Sequence, residues 1–449
     1  MPQLRRPSIL LALLLAAGAV ARADVPAPPI DPVVARAIAG ISPARLRALD
    51  TRLVAFGTRS ALSDRETRPG RGVFAARAWL VAQLRDIARA SGGRMTVALD
   101  SYDQPADPKK RVPRPTVISS VIATIKGDDP TGRTVVMSSH YDSRVTDLND
   151  AVHDAPGADD NGSGTSAILE AARALAPIPM HANVVFAIFD GEEQGLLGSA
   201  HYAKVLKDAG VPVEADLNND IVGASVGDDG VKRDGELRIF SEAIPAGANV
   251  ARLNAIGAEN DSPSRELARY AKETGDAYVP DLRGTLVFRA DRFLRGSDHE
   301  SFNANGYAAL RFTEPRENFA HQHQDVRVEN GVQYGDLLQF VDFDYLAKVA
   351  RYNAAVLASL ALAPAPPDPK IDITKLTNDT TLFWDVVPRA THYLVLRRRT
   401  TDAQWTEAQD AGDATRVTLP YSKDNWQFGL ASVDAQGHRS LAVFPTPAR

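Results

Sequence analysis

The chain has 449 residues, with 51 Lys and Arg against 56 Asp and Glu, which gives a formal net charge of −5. Its hydrophobic content of 44% and charged content of 24% are typical of globular proteins and exclude a disordered or fibrous chain. It has no cysteine, which excludes disulfide frameworks, thiolate metal ligands and a Cys nucleophile. The mild acidity argues against a nucleic-acid binder.

The first residues have the features of a secretory signal peptide. Arg5 and Arg6 precede an apolar run from Ser8 to Val20, and residues 21–23 form an A-x-A cleavage site. We therefore predict that residues 1–23 are a signal peptide and that the protein is secreted or periplasmic. The apolar run is too short to cross a membrane, and no later stretch is longer, so we expect no membrane span.

Residues 24–362 alternate between buried apolar runs and segments with helical periodicity. This pattern predicts an α/β fold, a three-layer sandwich around a mostly parallel mixed sheet. The predicted strands are Val117–Ile125, Thr134–Ser138, Asn183–Phe189, Asp216–Val222 and Ala308–Phe312. The predicted helical segments are Pro32–Phe56, Gly72–Ala90, Thr165–Leu175, Leu196–Lys207 and Asp342–Leu362.

A proline-rich stretch, APAPPDP, ends this pattern and predicts a stiff extended linker over residues 363–370. From residue 371 to 449 the pattern changes to short alternating strands separated by turns, which predicts a small all-β sandwich. The strand with Trp384, the strand with Tyr393 and Val395, and the segment FGLASVDAQGHRS resemble a fibronectin type III module. We assign the basic run Arg397 to Arg399 to a solvated strand face.

Five segments place an acid or a histidine close to the carboxyl end of a predicted strand. This edge of an open α/β sheet is where ligands bind. In the first segment, His140 and Asp142 lie two positions apart and point the same way, so Asp142 can accept an imidazole N–H and orient the ring. In the second, Asp159 and Asp160 enter a Gly-rich turn, GADDNGSG, before a helix.

The other three segments add further acids and two histidines. Asp190, Glu192 and Glu193 follow the third predicted strand, and Asp220 lies within the fourth. The segment RFTEPRENFAHQHQD carries His321 and His323 beyond the fifth. Together the segments offer imidazole and carboxylate ligands, the set that suits zinc in a protein without cysteine. Two metal ions about 3.5–4 Å apart would share one carboxylate, and a free carboxylate alongside could remove a proton from water.

The order H-x-D, G-A-D-D-N-x-S-G, E-E, N-x-D, S-D-H and Q-H resembles the zinc-dependent exopeptidases of peptidase clan MH, family twenty-eight, over roughly residues 40–360. The resemblance implies a secreted aminopeptidase with two zinc ions that removes residues from peptides or proteins with a free N-terminus. It implies that His140 and Asp220 bind the first zinc, that Glu193 binds the second, and that Asp159 bridges the two. The peptide bond between Asp159 and Asp160 would be cis. It further implies that Asp142 orients His140, that Glu192 is the general base and that Asp298 hydrogen-bonds near the site.

For the last zinc ligand we favour His323, with His321 as the alternative. The family's Gln-His pair favours His323, whereas Asp325, four residues after His321, fits a spacing of some relatives. Rival functions are a glutaminyl cyclase with one zinc, a carboxypeptidase, and a non-catalytic binding protein that acts through its C-terminal module. A carboxypeptidase needs a basic pocket, for which Arg289, Arg311 and Arg316 are the candidates.

Overall fold

The computed structural model describes residues 25–245, 247–259 and 261–448, and the predicted signal peptide lies outside these residues. The α-helices are α1 Pro32–Ala39, α2 Pro43–Val54, α3 Gly72–Ala88, α4 Gly164–Leu175, α5 Leu197–Asp208, α6 Val250–Ile256, α7 Pro263–Tyr278, α8 His299–Ala304 and α9 Phe343–Leu362. Within the described ranges, none of the helices combines the length and apolar character needed to cross a bilayer.

The strands are β1 Met95–Gln104, β2 Thr116–Ile125, β3 Thr134–His140, β4 Asn183–Phe189, β5 Val213–Asn219, β6 Glu236–Phe240, β7 Arg283–Val287, β8 Ala309–Thr313, β9 Arg327–Glu329, β10 Val332–Tyr334, β11 Lys370–Asp372, β12 Thr380–Phe383, β13 His392–Arg399, β14 Glu407–Asp410, β15 Arg416–Leu419, β16 Trp426–Val433 and β17 Thr446–Ala448.

An eight-stranded sheet with the order β1-β2-β4-β3-β5-β8-β6-β7 forms the middle layer. Its centre, β4-β3-β5-β8, is parallel, whereas β1, β2 and β6 pair antiparallel with a neighbour. The central strands are apolar runs because both of their faces are covered by helices. One boundary differs from the prediction: β5 ends at Asn219, because Ile221 adopts a left-handed φ of 56° and the chain turns there. Asp220 therefore follows its strand instead of lying within it.

Helices cover both faces of the sheet and bury two apolar cores. The larger core joins one face to α1, α2, α3, α4, α7 and α9, with Ile168 of α4 and Leu357 of α9 fully buried. The smaller core lies on the other face, where Tyr202 of α5 and Phe302 of α8 pack against Val136 of β3. These three layers confirm the predicted α/β sandwich, and they leave the carboxyl ends of the parallel strands free to form a site.

The C-terminal segment forms two small sheets, β15-β12-β11-β17 and β14-β13-β16, which are mostly antiparallel. Between α9 and β11, residues 364–369 belong to neither a helix nor a strand. Leu382, Trp384 and Tyr393 lie in a separate apolar core between the two sheets. The small β-sandwich is therefore present, and its likeness to fibronectin type III stays a prediction.

Two residues of the basic run in β13 are buried, so the assignment of Arg397 to Arg399 to a solvated face is wrong for Arg397 and Arg398. Arg397 donates from Nε to Glu407 at 2.9 Å inside the module. Arg398 pairs with Asp261, just before α7 of the large domain. Arg399 alone is exposed. The physical reason is that acidic partners from β14 and from the large domain neutralise the two buried guanidinium groups.

Candidate zinc site

The carboxyl ends of neighbouring parallel strands bring the predicted ligands to one edge of the sheet. β3 ends at His140, the turn after β4 carries Glu192 and Glu193, and Asp220 directly follows β5. The long segment after β8 contributes His323. Because parallel neighbours end at the same edge, the loops that follow them converge on one place. Their side chains form two groups of candidate metal ligands.

The first group contains His140, Glu192 and Asp220, whose ligand atoms lie within 4.8 Å of one another. Nε2 of His140 is 3.6 Å from Oδ1 of Asp220 and 4.0 Å from Oε2 of Glu192. Oδ1 of Asp160 approaches the same nitrogen to 3.3 Å. His140 and both aspartates are buried, so these polar atoms face one another and not water.

The second group contains Asp160, Glu193 and His323, again within 4.8 Å. Nε2 of His323 lies 2.8 Å from Oδ2 of Asp160 and 2.9 Å from Oε1 of Glu193. Asp160 therefore directs one carboxylate oxygen towards each histidine of the two groups. This is the arrangement expected of a carboxylate that two metal ions share.

The structure places Asp160, not Asp159, in the bridging position. Oδ1 of Asp159 accepts the main-chain N–H of Gly223 at 2.7 Å, outside both groups. The main-chain N–H groups of Asp159 and Asp160 donate to the two oxygens of Asp336 at 2.8 and 2.7 Å, which fixes the turn so that only the second aspartate reaches the histidines. The cis peptide bond is also displaced by one residue, since it joins Asp160 to Asn161.

Asp142 supports the first histidine and the glutamate pair together. Nδ1 of His140 lies 3.1 Å from the main-chain oxygen of Asp142 and 3.4 Å from its carboxylate. The two carboxylate oxygens accept the main-chain N–H groups of Glu192 and Glu193 at 3.2 and 3.1 Å. Asp142 is therefore placed to orient the imidazole, with Nε2 towards the site, and to hold the turn that carries both glutamates.

Of the two late histidines, the structure brings His323 into the site and leaves His321 outside it. The His321 ring stacks on Phe340, with 3.4 Å between the ring centroids. Asp325, the residue that favoured His321, donates its main-chain N–H to Thr146 at 3.1 Å and accepts the N–H of Thr146 on its carboxylate. The four-residue spacing between His321 and Asp325 therefore does not bring either residue to the site.

The donor atoms fit zinc. Four ligand atoms are buried and make no hydrogen bond of good geometry within the described part of the chain: Nε2 of His140, Nε2 of His323, Oδ1 of Asp220 and Oε1 of Glu193. Buried polar atoms without partners are costly, and a cluster of them is explained by a bound ion. Zinc binds nitrogen and oxygen at about 2.0–2.2 Å, so the ligands of a tetrahedral site lie about 3.3 Å apart. Around Nε2 of His140, the oxygens of Asp160 and Asp220 lie at 3.3 and 3.6 Å, close to this value.

The two imidazoles and the carboxylates perturb one another strongly. Burial lowers the pKa of His323, but the charges of Glu193 and Asp160 outweigh it and raise the pKa to about 9. Burial likewise raises the pKa of Asp160, yet His323 and His140 hold it well below its ordinary value. Burial raises the pKa of Glu192 well above its usual range, and His140 offsets only part of this effect. A divalent cation would replace the protons of the imidazoles in this acidic cluster.

Two further acids lie beside the groups without joining them. Asp298, at the start of α8, is fully buried, and burial raises its pKa to about 7 while the charge of His140 opposes this. Burial and the charge of Asp142 raise the pKa of Asp190 to about 7 as well, and Asp190 accepts the N–H of Ser119 at 3.0 Å. Neither carboxylate oxygen of Asp298 makes a hydrogen bond within the described residues, so the hydrogen bond that the resemblance implies for it near the site stays a prediction.

A third set of potential ligand atoms, in Asp291, His299 and Glu300, is a poorer cation site. Nη1 of Arg311 binds Asp291 at 2.9 Å, and Nε of Arg292 lies 3.0 Å from the same carboxylate. Both oxygens of Asp291 are engaged by Arg311, and Nε2 of His299 lies 2.9 Å from the main-chain oxygen of Ala290, so this set has fewer free ligand atoms than the other two.

Sequence reasoning missed Arg59 and Asp336, which hold the turn that presents Asp160. The buried Arg59 guanidinium donates to the main-chain oxygens of Tyr141 at 2.7 Å, Pro156 at 2.6 Å and Gly157 at 2.8 Å. Asp336 acts from a position more than 170 residues away along the chain. No local motif marks either residue, because their partners are main-chain groups of distant segments.

Comparison with known proteins places the chain in a family. The profile of Peptidase family M28 matches residues 120–330. A probable zinc metalloprotease of Leptosphaeria maculans is 47% identical over 414 residues, which cover 91% of this chain and 95% of that protein. One from Pyrenophora teres f. teres is 44% identical over 432 residues, 94% of this chain and 89% of that protein.

Solved structures show the same fold. The LapA aminopeptidase of Legionella pneumophila aligns with a TM-score of 0.53 at 20% identity, covering 80% of this chain and 77% of that one. LapB from the same bacterium gives a TM-score of 0.54, also at 20% identity, over 76% of this chain and 78% of that chain. At this identity the likeness concerns the fold. The sequence relatives and the family profile go further: the chain belongs to peptidase family M28 and is a zinc metallopeptidase that acts on peptides.

Proposed function

We propose that this metallopeptidase is a secreted or periplasmic aminopeptidase that uses two zinc ions. The observation that carries the proposal is the position of Asp160, whose two oxygens lie 3.3 Å from His140 and 2.8 Å from His323. Each histidine has a further carboxylate beside it, Asp220 in one group and Glu193 in the other. Two complete nitrogen and oxygen sets that share one carboxylate favour two ions over one.

The proposed reaction is hydrolysis of the peptide bond by water. Bound zinc would polarise the scissile carbonyl and lower the pKa of the attacking water towards about 7. Glu192 takes the proton of the attacking water. Its Oε2 is 4.0 Å from Nε2 of His140, whereas oxygens of Asp160 and Asp220 lie closer to that nitrogen, at 3.3 and 3.6 Å, so these two aspartates can bind the metal and leave Glu192 to act as the base. It then returns this proton to the nitrogen of the leaving amine. Asp142 keeps Glu192 in place through the main-chain hydrogen bond at 3.2 Å.

A free substrate amine fits the charge of the first group better than a free carboxylate does. Asp220 and Glu192 belong to that group, and Asp298 is buried close to His140. Such a surplus of acidic side chains attracts an ammonium group. The candidate arginines for a carboxypeptidase pocket are otherwise engaged: Arg311 is fully buried, Arg316 pairs with Asp228 and Arg289 stacks on Phe293.

Glutaminyl cyclase remains the second candidate on this scaffold, and it differs from the proposal in requiring one zinc ion. Elemental analysis of the purified protein separates the two, since the aminopeptidase requires two zinc ions per chain. Release of the free N-terminal residue from the substrate, and not its cyclisation, is the second distinguishing result.

The function is tested with aminoacyl chromogenic substrates and their N-acetylated counterparts, each assayed with and without chelator. We expect hydrolysis of the free-amine substrates alone, and loss of that activity in chelator. Glu192→Gln should keep its zinc while kcat falls by about 100-fold or more. Glu329→Gln is the matched control, because Glu329 is exposed and pairs with Arg327 on the surface. Equal hydrolysis of acetylated and free substrates would overturn the aminopeptidase assignment.

Export is tested separately by expressing the full chain in a bacterial host and sequencing the N-terminus of the product. Cleavage after Ala23, which gives a chain that begins at Asp24, is the expected result. An uncleaved chain retained in the cytoplasm would contradict the proposed location.

A further inference from the structure

Arg295 places a guanidinium group at the edge of the second ligand group. It belongs to the loop between β7 and α8. Its Nη1 donates to Oε1 of Gln322 at 2.7 Å and to Oε2 of Glu317 at 3.2 Å. These two contacts fix the plane of the guanidinium. The other nitrogen, Nη2, is thereby directed towards Asp160.

The distance from Nη2 to Oδ2 of Asp160 is 3.6 Å, which is too long for a hydrogen bond. The same oxygen lies 2.8 Å from His323, so Nη2 borders the place where the second group would hold its ion. Nη2 therefore points its N–H groups at the ligand cluster, and Asp160 does not accept a hydrogen bond from them. Donors held in place beside a reacting group can bind negative charge that develops there.

Two other arginines approach the acidic residues, but they are less suited to meet a substrate. Arg311 binds Asp220 at 3.1 Å and its side chain is 0% exposed. Arg144 has its Nε 3.5 Å from Glu193 with 15% of its side chain exposed. The Arg295 side chain is 22% exposed and combines contact with the cluster and access from solvent.

Arginine suits this position because it stays charged in every step. Burial lowers the pKa of Arg295, but the charges of Asp160 and Glu317 outweigh it, so its pKa is raised above the ordinary value. A guanidinium in this state donates hydrogen bonds and transfers no proton. Its role is therefore distinct from that of Glu192, which must gain and lose a proton.

We propose that Arg295 donates a hydrogen bond from Nη2 to the oxygen of the scissile carbonyl as that oxygen becomes negatively charged. This inference rests on the proposed peptidase function. In the first step the oxygen of water bonds to the carbonyl carbon, one proton of that water passes to Glu192, and the π electrons move to the carbonyl oxygen beside Arg295. In the second step the C=O bond re-forms, the C–N bond breaks, and the leaving nitrogen takes the proton from Glu192.

The test compares Arg295→Met with Arg292→Met. Arg292 lies in the same loop and also binds Glu317, at 2.8 Å, but its other ion pair is with Asp291 and not with Asp160, so it controls for the loss of a loop contact. Removing one donor to a developing oxyanion lowers kcat by about 100- to 1,000-fold. We expect that fall for Arg295→Met with little change in KM, and kcat close to wild type for Arg292→Met.

A binding measurement separates the proposed role from a general loss of activity. The probes are the phosphonic acid analogue of leucine, which carries tetrahedral oxyanions, and leucinamide, which carries none. By calorimetry, Arg295→Met should bind the phosphonic acid about 100-fold more weakly and leucinamide as tightly as wild type, with zinc content unchanged. Added guanidinium should partly restore the activity of Arg295→Ala, an effect that a purely structural role would not produce.

Three results would overturn the inference. The first is an unchanged kcat in Arg295→Met, and the second is a loss of zinc that accounts for the loss of activity. The third is a rise in KM confined to substrates with a free α-carboxylate, which would make Arg295 a carboxylate-binding residue. If the wild-type enzyme is active and any of these results is found, only the inference about Arg295 is refuted. If the wild-type enzyme is inactive on all peptide substrates, the proposed function is refuted as well.

Discussion

The C-terminal sandwich is joined to the large domain by buried charges, and this contact gives a quantitative prediction. Arg398 of β13 pairs with Asp261, which also accepts from Nη2 of Arg269 at 2.9 Å. The indole N–H of Trp405 donates to Glu266 of α7 at 2.9 Å. All of these groups are buried. The sandwich is thus part of the same packed structure as α7, and Arg398→Met should weaken the whole fold.

The expected size follows from the contacts that remain. Removing one partner of a buried ion pair costs about 3–5 kcal/mol, because the other charge is left without compensation. Asp261 keeps its contact with Arg269, so we expect the lower end, about 3 kcal/mol, or roughly a 100-fold change in the folding equilibrium. Arg399→Met is the matched control, because Arg399 is the exposed neighbour on the same strand and lies over Trp426 at 3.9 Å.

Urea unfolding followed by tryptophan fluorescence provides the measurement. Three of the four tryptophans, Trp384, Trp405 and Trp426, lie in the sandwich, and Trp79 lies in α3. Peptidase activity, recorded at the same urea concentrations, reports on the large domain. We expect both signals to shift to lower urea in Arg398→Met and to stay near wild type in Arg399→Met. Equal midpoints for the two variants would refute the idea that the buried pair joins the domains.

Two further predictions concern residues that support the site and the domain contact. Arg59→Met removes the guanidinium that donates to the main-chain oxygens around Gly157. Zinc affinity, measured by competition with a chelator, should then fall about 10- to 100-fold. An unchanged affinity would show that Arg59 does not hold the turn that carries Asp160. Burial raises the pKa of Glu266 to about 7 from 4.5, so the folded state holds the proton more tightly, and the contribution of Glu266 to wild-type stability should fall by about 3 kcal/mol as the pH rises from about 4.5 to 7. In urea titrations across that range, the stability difference between the wild type and Glu266→Gln should change by this amount, and an identical pH dependence of the two proteins would contradict the assignment.

The sequence predicts the structure best for the buried strands, because each is a continuous hydrophobic run with clear ends. β2 and β4 lie within one residue of their predicted bounds, because a strand buried on both faces must be continuously apolar. The carboxyl ends of the neighbouring strands β3 and β5 bring His140 and Asp220 within 3.6 Å of each other, as expected. By contrast, β1 was not predicted, because it is an edge strand in which only Met95 is buried. β6 and β7 have five residues each, too few for an alternating pattern to stand out in the sequence.

The details of the site depended on contacts that local sequence does not encode. Asp159 and Asp160 are chemically identical neighbours, and the choice between them is made by the backbone of Asp160, at φ −104° and ψ 91°. That backbone is held by Asp336, far along the chain. For the same reason the burial of Arg398 could not be foreseen, since its partner Asp261 belongs to the other domain. Residue type limited the chemistry, and tertiary packing selected the residues that could perform it.

The most direct test of the account is the zinc content of Asp159→Asn and Asp160→Asn beside the wild type. Asp160 faces both ligand groups, whereas Asp159 binds the N–H of Gly223. Elemental analysis should find two zinc ions per chain in the wild type and in Asp159→Asn, and one or none in Asp160→Asn. A single zinc in the wild type, or a loss of zinc in Asp159→Asn with none in Asp160→Asn, would contradict a metal pair bridged by Asp160.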